Sequence, residues 1–467
     1  MGPPARSFDA VVVGTGQAGK PLANALADHG ERVAIVEAGR VGGTCILDGC
    51  TPTKTMVAGA RVAHLVRRAS DFGIRTEAPY VDMGAVRARK RSVVDDFSSS
   101  SRRALEDHDR IELIEGEARF VASDTLVVDP GLEGEPTLLT APRIFLNVGA
   151  RPTVPALDGL DTVDFLTSTT ILELDEVPRH LAILGGGPIG LEFGQMFRRF
   201  GSTVTLIEQG SRLLSREDED VSEAVEEILV EDGIEVLTGS TLESVASVDG
   251  GGIALVVDRA GERRDMVVSH LLVAVGRTPN NDRLDLAAAG LSSDDDGFLP
   301  VDSRCRTEVE GIWALGDMTG APPFTHVAYD DFRVVAADVL PHRSPRTRDG
   351  RLVPYVIYTD PELGRIGVTE AEAAAKGMSV KVAKLPMSSW ARAIEMDETR
   401  GFVKCLVDAD SERIVGVAAL AVQGGEILSV LQTAMMGDLP YTAIRDAVYA
   451  HPTMAEPLEN LFAQIDA

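Results

Sequence analysis

The chain has 467 residues, too many for one hydrophobic core, so two to four domains are expected. Its 45 basic and 72 acidic side chains give a net charge of −27, a field that repels nucleic acid and anionic membrane and favours solubility. Four cysteines are too few for a disulfide framework, no apolar run approaches the ~20 residues that cross a bilayer, and Met1 to Ser7 lacks the basic-then-apolar pattern of a secretory signal. A soluble, cytoplasmic protein is the expectation.

In chain order, Phe8 to Val13 is a short apolar run, followed at once by Gly14-Thr15-Gly16-Gln17-Ala18-Gly19. Lys20 to His29 reads as a helix and Arg32 to Val36 as a second strand ending at Glu37. Strand, glycine turn, helix and strand in this order predict a dinucleotide site. Amides at the helix N-terminus suit a pyrophosphate, and Glu37 is placed to accept hydrogen bonds from a ribose.

The next stretch, Gly42 to Lys54, holds Cys45 and Cys50 five positions apart. At the ~1.5 Å rise of a helix this spacing exceeds a comfortable bridge, since disulfides want Cα atoms within roughly 7 Å. Closing it requires a distorted turn, whose steric cost Gly49 lowers. A bridge across so short a loop is a poor staple, which points to a reactive pair that opens and closes.

Two long helices are predicted next, Thr53 to Arg68 and Met83 to Asp107, the second with Arg87-Ala88-Arg89-Lys90-Arg91 as a solvated face. Short strands run from Ile111 to Val148. Gly116-Glu117-Ala118 and Asn147-Val148-Gly149 fall at strand ends.

The opening pattern then repeats. His180 to Leu184 is a strand, Gly185-Gly186-Gly187-Pro188-Ile189-Gly190 a turn, Leu191 to Phe200 a helix, and Ser202 to Ile207 a strand ending at Glu208. Two complete fingerprints imply two nucleotide-binding domains and two nucleotides. Further on come a charged helix (Glu217 to Glu231), the break Gly276 to Asn280, and a buried strand that delivers Asp317 to its end. Pro341 to Pro354, rich in proline and arginine, reads as a linker. The remainder alternates strands (Gly401 to Leu406, Ile414 to Ala421) with helices (Glu426 to Met436), and closes near His451 and Glu456. Cys405 reads as a packed apolar group, and Cys305 as a structural cysteine in an exposed, arginine-flanked turn.

A reactive cysteine pair with two nucleotide sites points to electron transfer, with a flavin between nicotinamide and sulfur. FAD is expected in the first site and NAD(P)H in the second. Cys50 is expected to face the flavin and Cys45 to attack substrate, their thiols acidified by a helix N-terminus and by Lys54. Lys54 is expected to reach the flavin ring and to pair with Glu192. His451, oriented by Glu456, is the expected proton carrier, and it comes from a second subunit if the last domain pairs two copies. No resident metal site is expected. Glu208 favours NADH over NADPH, because a carboxylate pairs with a 2′-hydroxyl and repels a 2′-phosphate, with Arg212 the opposing feature.

Together these motifs resemble the class I pyridine nucleotide-disulfide oxidoreductases over almost the whole chain. The resemblance rests on GGTCILDGCTPTK, both fingerprints, VGRTPN (Val275 to Asn280), ALGDM (Ala314 to Met318) and HPTMAE (His451 to Glu456). It implies an α/β chain with two Rossmann-like domains and an α+β dimerisation domain: FAD domain 1–150, NAD(P)H domain 151–277, a segment completing the FAD site 278–346, and dimerisation domain 347–467. For FAD it implies Gly14, Gly16, Gly19, Glu37, Ala38, Gly43, Thr44, Lys54, Ala118, Gly149, Arg277, Gly316 and Asp317, the last on the ribityl chain. For NAD(P)H it implies Gly185, Gly187, Ile189, Gly190, Glu208 and Gly276. It also implies a homodimer in which His451 and Glu456 serve the other copy's cysteines.

GCTPTKTMVA, IFLNVGARP and FTHVAYDDFRVV look most like the mercuric-reductase-like branch, which includes the reactive-chlorine-resistance flavoproteins. No cysteine follows Cys405, which argues against efficient mercuric reduction. Leu47 stands where the family usually has asparagine, Asp48 adds a negative charge beside the pair, and Pro188 replaces the gating tyrosine of glutathione reductases. The expected activity is reduction of a disulfide, electrophile or metal ion. A dihydrolipoamide dehydrogenase-type dithiol oxidase and a redox-sensing flavoprotein with incidental turnover are the alternatives.

Overall fold

A computed structural model describes residues 5–131 and 134–465 of the chain. The chain forms two compact units. The first comprises the residues up to Thr55 together with Ala85–Thr153 and Gly276–Arg351; the second comprises Met56–Gly84, Val154–Val275 and the residues from Leu352 onward.

The first unit is built on a five-stranded sheet in the order Ile312–Ala314, Ile144–Leu146, Ala10–Val13, Val33–Glu37, Ile111–Glu115, with every pairing parallel. Alternate side chains leave opposite faces of such a sheet. Ala10, Val12, Val33, Ile35 and Phe145 pack on one face with Leu22 and Leu26 of the helix Gly19–Asp28 and Val334 and Val335 of the helix Thr325–Val339. Val11, Val13, Ala34, Val36 and Leu146 pack on the other, with Phe120, Leu126 and Leu139 of a four-stranded sheet. A sheet buried on both faces explains why its strands read as continuous apolar runs.

The second unit holds a parallel sheet in the order Glu235–Leu237, Thr203–Ile207, His180–Leu184, His270–Val273. It also holds a three-stranded antiparallel sheet and a five-stranded antiparallel sheet from Tyr355–Ile357 to Val380–Pro386, against which the helix Gly424–Met436 packs. Among the described residues no helix is long and apolar enough to cross a membrane.

Three local expectations need correction. Lys90, assigned to a solvated face, is 3% exposed, so the arginine-rich helix Met83–Glu106 turns part of its basic run inward. Cys305 is fully buried, with its backbone in the left-handed region at φ 65° and its thiol pushed up chiefly by burial. The arginine-rich segment after Pro341 has no regular structure, yet its Arg348 and Arg351 are largely buried against Asp331 of the helix Thr325–Val339. Charge in a sequence signals exposure only until a buried counter-charge is near.

Candidate active site

Gly14 leaves its strand at φ 100°, and a Cβ on Gly19 would lie 2.0 Å from the Gly14 carbonyl oxygen, so strand and helix meet too closely for a side chain. Thr15, between them, is buried. Its amide donates to Glu37 Oε2 at 3.0 Å, its hydroxyl bonds the same oxygen at 2.5 Å, and the hydroxyl accepts from the Gly42 amide at 3.0 Å. Glu37 Oε1 accepts from the Gly39 amide at 3.0 Å. The N-cap residue of the helix Gly19–Asp28, Ala18, has no side chain that can cap it, and the first turn has no acidic residue. A helix N-terminus in a glycine cradle without an acidic residue in its first turn, with a carboxylate at the end of the second strand, fits the pyrophosphate and ribose of a dinucleotide.

The cysteines grow from this turn. A Cβ on Gly43 would lie 2.6 Å from Gly16 Cα, so the short helix Gly43–Leu47, which carries Cys45, is pressed directly onto the glycine turn. Gly42 (φ 138°) and Gly43 (φ 66°) absorb the bend. Gly49, expected to relieve it, is not left-handed; a Cβ there would lie 2.9 Å from the Thr44 carbonyl oxygen, and closeness is what demands a glycine. Cys50 opens the helix Cys50–Arg67, which starts three residues earlier than expected. Both cysteines are thiols here. Cys45 is pushed far up, first by its hydrogen bond to Cys50, then by burial and the Cys50 charge, against the pull of Thr325 and Lys54. Cys50 Sγ lies 3.3 Å from Thr325 Oγ1.

The other residues expected around the first nucleotide lie elsewhere in this unit. Arg277–Pro279 pairs antiparallel with Ala150–Pro152 just after Gly149; Gly276, expected on the NAD(P)H side, falls in this first unit instead and accepts from the Thr153 amide at 3.0 Å. Asp317 sits in the turn Gly316–Thr319 with Arg277 at 3.9 Å; burial pushes its carboxyl up and Arg277 opposes this. Ala118 is buried on the strand Glu117–Ala122, Thr44 is half-buried beside Cys45, and Ala38 is exposed beyond Glu37.

Two residues here escaped the sequence reading. Asn147 Oδ1 accepts from the Gly19 amide at 3.0 Å, and its Nδ2 donates to the Leu315 carbonyl at 3.0 Å, joining the glycine turn to the strand that precedes Gly316. Only its position after a buried strand hinted at this. Lys20 donates to Ser101 Oγ at 2.8 Å; burial pulls it down, and the Cys45 charge opposes this.

In the second unit the turn repeats. Gly185 stands at φ 116°, and a Cβ on Gly190 would lie 2.1 Å from the Gly185 carbonyl oxygen. Pro188 begins the helix Pro188–Phe200 after Gly187, which suits a residue with no amide hydrogen, and Ile189 is half-buried beside it. Glu208 accepts from the amides of Gly186 at 2.6 Å and Gly210 at 2.5 Å. This uncapped helix and its carboxylate fit a second dinucleotide. Glu192, on the same helix, accepts from the Tyr358 amide at 2.8 Å. Gln195 and Arg199, further along that face, hold Asp360 at 2.7 and 2.5 Å. His451 Nδ1 lies 2.8 and 2.9 Å from the two Glu456 oxygens, with the imidazole 67% exposed. This arrangement orients the ring and leaves its other nitrogen outward.

Comparison with known proteins agrees with this geometry. Residues 8–331 match the family described as pyridine nucleotide-disulphide oxidoreductase, and residues 353–462 match its dimerisation domain. The chain is 36% identical over 466 residues to the probable pyridine nucleotide-disulfide oxidoreductase RclA of Escherichia coli, covering 98% of this chain and 99% of that protein. It is 34% identical to a mercuric reductase of Lysinibacillus sphaericus, covering 97% of this chain and 82% of that one. Its fold matches a solved Cu(II) complex of the HOCl-induced flavoprotein disulfide reductase RclA from Escherichia coli, with a TM-score of 0.90, 35% identity, and coverage of 98% and 99%. The chain thus belongs to the pyridine nucleotide-disulphide oxidoreductases, a family of flavoprotein enzymes that use FAD and a pyridine nucleotide and act on sulfur groups.

Proposed function

We propose that the chain is an NADH-dependent reductase that sends an electron pair through FAD to the Cys45–Cys50 disulfide and on to a thiophilic acceptor. The observation that carries this is the seating of Cys45 on the first glycine turn, through Gly43 against Gly16, with Cys50 heading the next helix. FAD bound at that turn supplies the relay that accepts hydride from nicotinamide and reduces a disulfide. Residues 1–150 and 278–346 would hold it, with Lys54 toward its ring and Asp317 toward its ribityl chain. Residues 151–277 would hold the nicotinamide nucleotide, and residues 347–467 would pair two copies.

The protein's own groups supply the sulfur chemistry. Reducing the disulfide breaks its S–S bond and, with one proton taken up, leaves one thiol and one thiolate. With a disulfide acceptor, Cys45 attacks one of its sulfurs and breaks its S–S bond, releasing the first thiolate; Cys50 then attacks the Cys45 sulfur of the mixed disulfide, releases the second thiolate and closes the protein disulfide again. His451, held by Glu456, carries the proton for this exchange in the second copy's active site. NADH is favoured because the Glu208 carboxylate would repel a 2′-phosphate. A disulfide, an electrophile or a metal ion is the proposed acceptor class; the RclA structure is a Cu(II) complex, and another relative is a mercuric reductase. A reducing cytoplasm suits such a dithiol.

The test is an anaerobic titration with NADH, then NADPH. A long-wavelength thiolate-to-flavin charge-transfer band after two electrons, reached more readily with NADH, is expected. Simple bleaching of the flavin would remove the cysteines from the electron path.

A further inference from the structure

The Cys50–Thr325 contact is anchored from behind by a buried charge. Thr325 is the first residue of the helix Thr325–Val339, and Asp331, on the same helix, is 0% exposed. Asp331 Oδ2 accepts from the Gly316 amide at 2.9 Å; Oδ1 accepts from Arg351 Nη1 at 2.7 Å and faces Arg348 Nε at 3.2 Å. Arg348 also donates to Thr319 Oγ1 at 2.9 Å, and Thr319 Oγ1 donates to the Gly316 carbonyl at 2.9 Å. A buried carboxylate is costly unless paired and fully hydrogen-bonded, so this arrangement tolerates little displacement. It fixes the helix to the Gly316–Thr319 turn and, at the helix's first residue, fixes a hydroxyl at the sulfurs.

That hydroxyl lies within reach of both cysteines. It has one hydrogen to donate, and a hydrogen bond to a charged acceptor is roughly twice as strong as one between neutral groups. The thiol–thiolate state carries one proton on two sulfurs, so the donor favours charge on whichever sulfur it faces best. Cys50 also heads an 18-residue helix, whose N-terminus favours a negative group.

We propose that Thr325 is a positioning residue of the redox pair, donating its hydroxyl hydrogen to the Cys50 thiolate so that the shared proton stays on Cys45, with the Asp331–Arg348–Arg351 cluster holding it there. This rests on the redox reading of the pair. Among the described residues, Lys54 on the helix of Cys50 and Lys20 on the first glycine-turn helix act on the charge of Cys45; in the chain, Asp48 stands between the cysteines and His326 follows Thr325.

The test uses FAD-loaded protein reduced with dithiothreitol, desalted without oxygen and alkylated with iodoacetamide across pH, with Cys45 and Cys50 read separately by mass spectrometry. In Thr325→Val the Cys50 midpoint should rise by about one pH unit, the share of label on Cys45 should grow, and Thr325→Ser should restore the wild-type profile. Asp331→Asn should move the profile the same way by less; if it fails to fold, Arg351→Met serves in its place. Coincident profiles for wild type and Thr325→Val, both with an intact flavin spectrum, would overturn the inference. Because the reductant is chemical, the profile is read whether or not NADH reduces the protein. A shift in Thr325→Val alongside no NADH reduction would sustain this inference and sink the proposed function.

Discussion

The two glycine turns are the same local device put to different uses. In both, the last glycine is demanded by a carbonyl oxygen about 2 Å from where its Cβ would sit, and in both a carboxylate at the end of the next strand accepts amide hydrogens from the turn. They differ at the middle positions. The first turn has Thr15, whose hydroxyl ties Glu37 to Gly42 and so to the redox loop. The second has Gly186, where a Cβ would meet Leu213 at 2.7 Å and Glu208 at 2.9 Å. A Cβ on Gly16 would lie 2.8 Å from Asn147 Oδ1, whereas one on Gly187 would meet nothing within 4 Å. The first turn is closed by the protein's own polar groups and tied to the segment that carries Cys45. The second leaves open space beside its middle glycine.

The largest expected effect separates the two turns outright. Gly19→Val should give colourless protein without FAD, while Gly190→Val should stay yellow and lose at least tenfold in NADH-dependent rate at subsaturating NADH, since neither carbonyl contact admits a side chain. Visible spectra and steady-state kinetics decide it, and loss of FAD in both would mean the turns are not independent.

Next comes Thr15→Val, which removes a buried acceptor from the Gly42 amide and should cost about 1–3 kcal/mol in chemical denaturation. An unchanged midpoint would show that the hydroxyl link to the redox loop is idle. Glu208→Ala should lower the ratio of NADH to NADPH kcat/KM by about tenfold, or roughly 1.4 kcal/mol of discrimination. An unchanged ratio would show that Glu208 does not set the preference. The smallest effect on stability is that of Gly187→Ala. Gly187→Ala should leave the melting midpoint within about 0.5 kcal/mol of wild type while weakening NADH binding, whereas Gly16→Ala should destabilise by about 1–3 kcal/mol. Equal destabilisation by the two would erase the contrast.

Much of this was readable along the chain. The strand His180–Leu184 appears with the bounds expected, and the helices Gly19–Asp28 and Pro188–Phe200 each begin a little earlier than read, because glycine and proline belong to first turns as well as to breaks. His451 and Glu456 meet as a pair five residues apart, within the reach of a single turn of chain. The basic run around Lys90, the burial of Cys305 and the pairing of Arg348 and Arg351 with Asp331 were not readable, because each depends on what another segment brings to it.

By itself, the sequence determined the two nucleotide turns, the cysteine pair and the family, because these are local patterns in which spacing dictates geometry. Only the tertiary structure decided that Thr325, 275 residues from Cys50, would stand at its sulfur, that Asn147 would brace the first turn, and that Asp331 would be buried between arginines. Such contacts form when distant strands enter one sheet, and burial then makes each unpaired polar group too costly to leave alone.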